Sequence, residues 1–358
     1  MKLLVSLQVF ALVVLQSLVV FAAPEETLTS ELKQQGFVGL TGRDSWPRGQ
    51  FALTFDDGPH PTFTPKVLTL LKSHHLKATF FVVGQNINRL TYPLIVRMLH
   101  EGHQVGSHSY NHDVKMALHG GQNAIEYIRS EHEVTRLLIN IALLAGDADD
   151  FDRLYEGIFD RKPGKLLTNA ALSTQANVFL ARYQATLAAY GYVDGREPYP
   201  VLFSRPPGGG PYFGQAGEQA RQRYDEALRQ LGWINVLWHG GCWDPDPAKR
   251  ADYEHIVSSL VAQSKRGGII VIHDYVRHDA LAAAIGRIAG DSRLSAVLLE
   301  PAVVRKYGSS ADVVVVTLQQ AAGMAGRVEG LDEATERKPV TTEQHVAKAT
   351  VGPSRDRS

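Results

Sequence analysis

The stretch Phe51-Ala52-Leu53-Thr54-Phe55-Asp56-Asp57-Gly58-Pro59 carries a predicted β-strand directly into two adjacent carboxylates. Residues 51–55 alternate as they would in a buried strand, and the Asp-Asp-Gly-Pro run that follows is rich in turn-forming residues. Taken alone, this run is equally well explained as a simple strand end. Because the sites of α/β proteins gather at the carboxyl ends of strands, Asp56 and Asp57 are nevertheless candidate site residues.

A second stretch, His108-Ser109-Tyr110-Asn111-His112, follows a predicted strand over 104–107. Two imidazoles and one carboxylate commonly hold a divalent ion with coordination positions left open, so Asp57, His108 and His112 form a candidate ligand set. The spacing alone is weak evidence, because the chain has 14 histidines and most such pairs are surface or core residues.

Two further stretches supply the remaining parts of an amide hydrolase: Arg205-Pro206-Pro207-Gly208-Gly209 and Ile270-Val271-Ile272-His273-Asp274. Arg205 would keep Asp56 ionised, so that Asp56 could take a proton from a water made acidic by a metal. The amide of Gly208 is free to face an oxyanion, because no side chain blocks the approach. His273, at the end of an apolar strand, is the natural proton donor to the leaving amine.

Strands and helices alternate along the chain, which predicts parallel strands with crossover helices and therefore an α/β architecture. Predicted helices cover 64–75, 92–101, 218–231, 252–265 and 280–288, and Thr64 is the predicted N-cap of the first helix. Predicted strands cover 51–55, 78–83, 104–107, 234–238, 268–272 and 312–317. Residues 114–200 are predicted to be mainly helical, with apolar residues at helical spacing over 125–143 and 176–190. The acidic run 146–152 is predicted as a solvated loop rather than a calcium site.

Together and in this order, the four stretches resemble the polysaccharide deacetylase family, the NodB-homology carbohydrate esterases, over residues 51–112 and 203–318. The resemblance implies a distorted, incomplete (β/α) barrel, here with a mainly helical insertion. It also implies hydrolysis of acetyl groups from N-acetylated or O-acetylated polysaccharides.

The resemblance further implies a role for each matching residue. Asp56 would be the catalytic base, tethered by Arg205, and His273 the general acid, with the Gly208 amide in the oxyanion hole. The ion, usually zinc and sometimes cobalt or manganese, would be bound by Asp57, His108 and His112.

The chain departs from the family pattern in three places. In the fourth motif, Cys242 stands before Trp243 where an acidic residue is expected, and Asp244 or Asp246 could substitute for it. In the third motif, glycines precede Tyr212, which predicts a more open wall beside the acetyl group. About ninety residues separate His112 from Arg205, and we expect this insertion to build an accessory lobe.

Tyr212 and Trp243 are candidate substrate-binding residues. A buried position in the core is the slightly favoured explanation of Trp243, because aromatic side chains are readily buried.

The N-terminus predicts export. Residues 1–22 combine a basic start, an apolar run and small residues for cleavage, as in a secretory signal peptide, with an uncleaved membrane anchor as the alternative. Residues 23–47 are predicted as a linker, 48–326 as the catalytic domain with its insertion at 114–200, and 327–358 as a disordered tail. We therefore expect a periplasmic or extracellular protein without a membrane span after cleavage.

Composition excludes several functional classes. The 37 lysines and arginines balance the 37 aspartates and glutamates, so nothing favours a nucleic-acid partner. The single cysteine rules out an intramolecular disulfide and is a poor nucleophile candidate. No Gly-x-Ser-x-Gly elbow surrounds Ser107 or Ser109, which disfavours a serine hydrolase.

The sequence thus predicts a metal-dependent enzyme that removes acetyl groups from a polysaccharide of the N-acetylglucosamine type. Three alternatives stay open: an O-acetyl polysaccharide esterase, a carbohydrate-binding relic weakened by loss of the fourth-motif acid, and a hydrolase of small amides. The sequence does not specify which polysaccharide is bound, nor the oligomeric state.

Overall fold

The computed structural model describes residues 46–119, 123–193, 196–213 and 217–299. Within these residues eight parallel strands form one sheet. The strands are β1 (Gln50–Asp56), β2 (Thr79–Val82), β3 (Gln104–Ser107), β4 (Phe203–Ser204), β5 (Ile234–Asn235), β6 (Gly240–Gly241), β7 (Gly268–His273) and β8 (Ser295–Ala296).

Helices connect and cover these strands. They are α1 (Thr64–Ser73), α2 (Tyr92–His100), α3 (Ala124–Leu144), α4 (Ala148–Phe159), α5 (Asn169–Ala189), α6 (Glu218–Leu231), α7 (Pro247–Ala251), α8 (Tyr253–Arg266) and α9 (His278–Ala289). None of the helices within the described residues is both long enough and apolar enough to cross a membrane.

The strand order is that of a barrel that does not close. Hydrogen bonds link the strands in the order β5-β4-β3-β2-β1-β7-β6, so the chain passes from strand to neighbouring strand and returns beside β1. Within the described residues no pairing joins β5 to β6. β8 pairs with the start of β1 at Gln50 and Phe51. The predicted incomplete (β/α) barrel is confirmed.

The alternation in β1 divides its side chains between two hydrophobic clusters. Phe51, Leu53 and Phe55 belong to the larger cluster, which includes the buried faces of the surrounding helices. Ala52 belongs to a smaller cluster formed by side chains of several strands. Because side chains alternate along a strand, Asp56 lies on the same face as Ala52, toward the interior of the barrel.

The register of the sheet brings the predicted motifs to one edge. Asp56 is paired with His273 of β7, and Ser107 at the end of β3 is paired with Ser204 of β4. His108 and Arg205 directly follow these last two residues. Four distant segments therefore end side by side at the carboxyl edge of the sheet, where α/β proteins place their sites.

The insertion does not form an accessory lobe, and that expectation was wrong. The buried side chains of α3, α4 and α5 belong to the same large core cluster as those of the barrel helices. α3 packs on α5 and α6 and also contacts β3. It therefore contributes directly to the wall behind the site.

The acidic run at 146–152 is not a solvated loop, because α4 begins within it. Asp147 is the N-cap, and its side chain accepts a hydrogen bond from the Asp150 amide at 2.8 Å. Acidic residues favour the positive end of a helix dipole, which explains their concentration before an apolar helical face. Three of the side chains on that face are Phe151, Ile158 and Phe159.

Other boundaries also differ from the predictions. Phe63, rather than Thr64, is the N-cap of α1, because the Thr64 hydroxyl donates to the buried carboxylate of Asp274. The strand predicted over 234–238 pairs only at Ile234–Asn235. The strand predicted over 312–317, the domain end near Gly326, and the predicted signal peptide, linker and tail lie outside the described residues, save for the last two linker residues.

Candidate functional site

The two carboxylates end β1 in different conformations. Asp56 is the last residue of the strand and is almost completely buried. Asp57 follows with a φ of 72°, in the left-handed region that is uncommon for a residue with a side chain. Such backbone strain typically costs on the order of 1–3 kcal/mol and is concentrated at functional sites. The turn directs adjacent carboxylates to different partners.

His108 is fixed in one tautomer by its surroundings. Its Nδ1 lies 2.8 Å from the carbonyl oxygen of Arg205, and because a carbonyl can only accept, Nδ1 must carry the proton. Nε2 is then a lone-pair donor, 3.5 Å from Oδ1 of Asp57. Burial lowers the pKa of His108, which favours the neutral imidazole that metals require.

Asp57, His108 and His112 converge. Nε2 of His112 lies 3.1 Å from Oδ1 of Asp57, and one ligand atom from each residue lies within 4.8 Å of the other two. Burial opposes ionisation of Asp57, but the hydrogen bond with His112 and the positive charge of His273 hold its pKa well below its ordinary value. One carboxylate oxygen and two imidazole nitrogens are a donor set that fits a divalent ion.

Arg205 holds Asp56 from the other side. Its Nη1 donates to Oδ1 of Asp56 and to the hydroxyl of Thr54, both at 2.7 Å, and its Nε donates to the carbonyl of Val236 at 2.9 Å. The guanidinium is fully buried and lies 4.1 Å from the ring centroid of Phe81. One oxygen of Asp56 is thus engaged, while Oδ2 lies 3.8 Å from Nε2 of His108.

His273 has the acidic partner that the fourth motif left in doubt. Oδ1 of Asp244 lies 3.0 Å from Nδ1 of His273, and Oδ2 of Asp244 accepts the His273 amide at 2.7 Å. Burial opposes the charged imidazole, but the hydrogen bond and charge of Asp244 raise the pKa of His273 to about 9. The other candidate, Asp246, instead caps α7 through the amides of Ala248 and Lys249.

Trp243 does not lie in the core, so the slightly favoured prediction was wrong. Its side chain is 72% exposed and its φ is 59°. Its neighbour Cys242 is fully buried, and burial raises the pKa of its thiol, so a thiolate nucleophile is disfavoured. The left-handed turn at Trp243 places the indole outside and Asp244 inside.

The third motif forms a loop opposite the segment that follows His112. Gly208 is exposed with a φ of 59°, and a Cβ on it would meet Val114 at 3.5 Å. Among the described residues no hydrogen-bond acceptor is found for the Gly208 amide, whereas the Gly209 amide donates to Pro206. The hydroxyl of Tyr212 is turned toward Asp225 of α6, so the exposed ring of this loop is Phe213 rather than Tyr212.

Three residues beside these motifs were missed in the sequence. Tyr275 is stacked on His273 with ring centroids 5.2 Å apart. Glu131 and His132 of α3 are fully buried and bond the chain between Ser107 and Asn111. The available signal was a charged residue on the apolar stripe of a predicted helix, since Glu131 follows Ile128 by three positions.

Comparison with known proteins gives one family and several relatives. The family described as polysaccharide deacetylase matches residues 44–138, which contain both carboxylates and both histidines. A peptidoglycan-N-acetylglucosamine deacetylase of Bacillus cereus is 29% identical over 253 residues, covering 69% of this chain and 82% of that protein. A chitooligosaccharide deacetylase of Sinorhizobium fredii is 41% identical over 81 residues, covering 23% and 37%.

Among solved structures, a family 4 carbohydrate esterase from Streptomyces lividans in complex with acetate is similar. It is 20% identical, with a TM-score of 0.45, covering 71% of this chain and 94% of that one.

Proposed function

We propose that this chain, whose residues 44–138 match the polysaccharide deacetylase family, is a hydrolase of that class. Its proposed reaction is hydrolysis of the acetamido group of an N-acetylglucosamine-type polysaccharide. The observation that carries the proposal is the convergence of Asp57, His108 and His112 on a common point, with Asp56 beside them. His273 is paired with Asp56 across the sheet.

The donor set of Asp57, His108 and His112 fits one divalent ion, which we propose to be zinc, with cobalt or manganese as substitutes. When bound, such an ion supplies a Lewis acid that makes water acidic near neutral pH and polarises a carbonyl. The neutral His108 and the ionised Asp57 are already in the protonation states that binding requires.

Asp56 is proposed as the general base. Arg205 engages one of its oxygens and leaves the other beside His108. The oxygen that Arg205 leaves free is the atom that would accept the proton of the attacking water. The buried guanidinium also fixes the orientation of Asp56, because its Nη1 donates to Thr54 as well and its Nε donates to the carbonyl of Val236.

His273 is proposed as the general acid. With its pKa raised to about 9, it carries a proton at neutral pH and can give it to the leaving amine nitrogen. Nδ1 is held by Asp244, so the proton to be transferred lies on Nε2. The exposed amide of Gly208 is proposed to donate to the oxyanion that develops on the acetyl group.

Asp244 also favours an active enzyme over a carbohydrate-binding relic. The relic was suggested by the missing acid before Trp243, and Asp244 bonds His273 where such an acid is needed. The exposed Trp243 is proposed to stack on a sugar ring. Tyr212 is proposed to support its loop rather than to contact the substrate, because its hydroxyl donates a hydrogen bond to Asp225.

The test is acetate release by the zinc-loaded protein from chitin oligomers and peptidoglycan, with acetylated xylan as the ester substrate. We expect release from an N-acetylated polymer, lowered about 10²- to 10⁴-fold in Asp56→Asn with zinc content unchanged. Asp246→Asn, which alters an exposed helix cap, is the matched control. Release from xylan alone would assign an esterase, and full activity in Asp56→Asn would contradict the assigned base.

We also propose that the protein acts outside the cytoplasm, because its polymeric substrate lies there and residues 1–22 have the composition of a signal peptide.

A further inference from the structure

The segment from His108 to His112, termed the ligand loop, is held from behind by α3. Two consecutive residues of that helix, Glu131 and His132, are fully buried beneath it. A charged carboxylate is rarely buried unless its hydrogen bonds serve the structure or the chemistry of a site.

Glu131 binds the middle of the ligand loop. Its Oε2 accepts the amide of Tyr110 at 2.9 Å and the amide of Asn111 at 3.0 Å. Consecutive backbone N–H groups that point at one oxygen atom form a compact arrangement that fixes the backbone between them. These two amides lie between the two histidines, so the position of Glu131 is transmitted to both ends of the loop.

The ligand loop is strained on either side of the two residues that Glu131 holds. Ser109 has a φ of 65° and His112 a φ of 59°, and neither is a glycine. Residues in this region persist only when their surroundings determine them strongly. The hydroxyl of Ser109 also accepts the His112 amide at 3.1 Å, so the local turn ends at a proposed metal ligand.

The two histidines are held in different ways. His108 follows β3, and its ring is fixed by the carbonyl of Arg205. His112 is more exposed and receives its position from the backbone of the loop. A change in Glu131 should therefore move His112 more than His108.

His132 provides a second attachment. Its Nδ1 lies 2.9 Å from the hydroxyl of Ser107 and its Nε2 lies 2.8 Å from the hydroxyl of Tyr224 on α6. The hydroxyl of Ser107 in turn accepts the Ser109 amide at 3.2 Å. α3 thus holds both the start and the middle of the loop.

We propose that Glu131 is a positioning residue for the metal centre: its carboxylate fixes the strained ligand loop so that His112 faces Asp57. This rests on the proposed function, because it assumes that Asp57, His108 and His112 bind a divalent ion. Glu131 would act through the loop, because it is not one of the three proposed ligands.

The experiment measures the dissociation constant for Co²⁺ on the full chain, by competition with a chromophoric chelator, together with the visible spectrum of the bound cobalt. Glu131→Ala is expected to weaken Co²⁺ binding about 10- to 100-fold, the usual loss when a residue behind a metal ligand is removed. Glu131→Gln, which keeps one carbonyl oxygen for the two amides, is expected to recover most of that affinity.

Glu133→Gln is the matched control. Glu133 is a buried glutamate on the same helix, but it pairs with Arg129 and Arg136 rather than with the loop. We expect its Co²⁺ affinity and cobalt spectrum to equal those of the wild type. Equal weakening in Glu133→Gln and Glu131→Ala would show a general loss of helix stability and would overturn the proposal.

If Glu131→Ala does not fold, Glu131→Asp decides the question, because it keeps the charge but shortens the reach by one methylene. Wild-type Co²⁺ affinity in a folded Glu131→Ala or Glu131→Asp protein would overturn the positioning role. The proposed function fails separately, if the wild-type chain binds Co²⁺ but releases no acetate. A wild-type chain that binds neither Co²⁺ nor Zn²⁺ would overturn both.

Discussion

At the scale of single residues, the two proposed proton-transfer groups have partners of opposite charge. Arg205 donates to one oxygen of Asp56 and leaves the other free to accept a proton, while the carboxylate of Asp244 raises the pKa of His273 and so favours an imidazolium that can donate one. The same division of roles by local environment separates acid from base in many hydrolases. The pairing Arg205–Asp56 and Asp244–His273 therefore sets the direction of proton flow.

Asp244→Asn is expected to shift the basic limb of the pH profile of kcat/KM. His273 must be protonated to act as an acid, and its pKa is raised to about 9 chiefly by Asp244 in opposition to burial. Removing that charge lowers the pKa, so activity is lost at a lower pH, by roughly 1–2 units. Asp246→Asn should leave the limb in place, and an unshifted limb in Asp244→Asn would contradict the pairing.

The sequence could identify Asp244 and Asp246 as candidates but could not choose between them. The choice depends on the left-handed φ of Trp243, which reverses the chain just before Asp244. A tryptophan in the sequence does not predict a positive φ, because the left-handed region is populated mainly by glycine and asparagine. The exposure of Trp243 was mispredicted for the same reason.

At the scale of elements, periodicity located the long elements well. α6 and β3 have the predicted bounds, and α2, α8 and β7 differ by at most one residue at either end. Apolar patterns define the buried faces of α2, α8 and β7. β4, β6 and β8 have two residues each, which is too short for a periodic pattern. Their existence depends on pairing with distant strands, which the local sequence does not record.

The start of α4 gives a stability prediction. Asp147→Ala removes the acceptor for the Asp150 amide and is expected to lower the free energy of unfolding by about 1 kcal/mol, as typical N-cap losses do. Urea denaturation measures the change. Glu156→Ala, an exposed substitution in the middle of the same helix, should change stability by less than about 0.5 kcal/mol. An equal effect of the two changes would argue against the cap.

At the scale of the whole molecule, the site is assembled by the sheet. Asp56, His108, Arg205 and His273 are distant in sequence and meet because four parallel strands end at one edge. The sequence predicted these residues through motif order and resemblance. The distances between their atoms, and the support from α3, required the register and packing of the barrel.

Metal binding should stabilise the whole chain. An ion at about 100 times its dissociation constant adds about 2.7 kcal/mol to the free energy of unfolding, if it binds only the folded state. Thermal denaturation with zinc and after chelation measures this difference. His112→Ala, which removes one proposed ligand, should lose most of the zinc-dependent shift. A wild-type Tm that is the same with zinc and after chelation would count against the metal site.

The matched family segment ends at residue 138, so it includes the three proposed metal ligands and excludes Arg205, Asp244 and His273. The proposed roles therefore separate metal occupancy from turnover: Asp244→Asn would lower activity through His273 and leave the three proposed ligands in place. Elemental analysis of such a variant would then give a full metal content although the protein is inactive. The later segments, through Arg205 beside Asp56 and Asp244 beside His273, are proposed to decide whether a metal-loaded molecule is active.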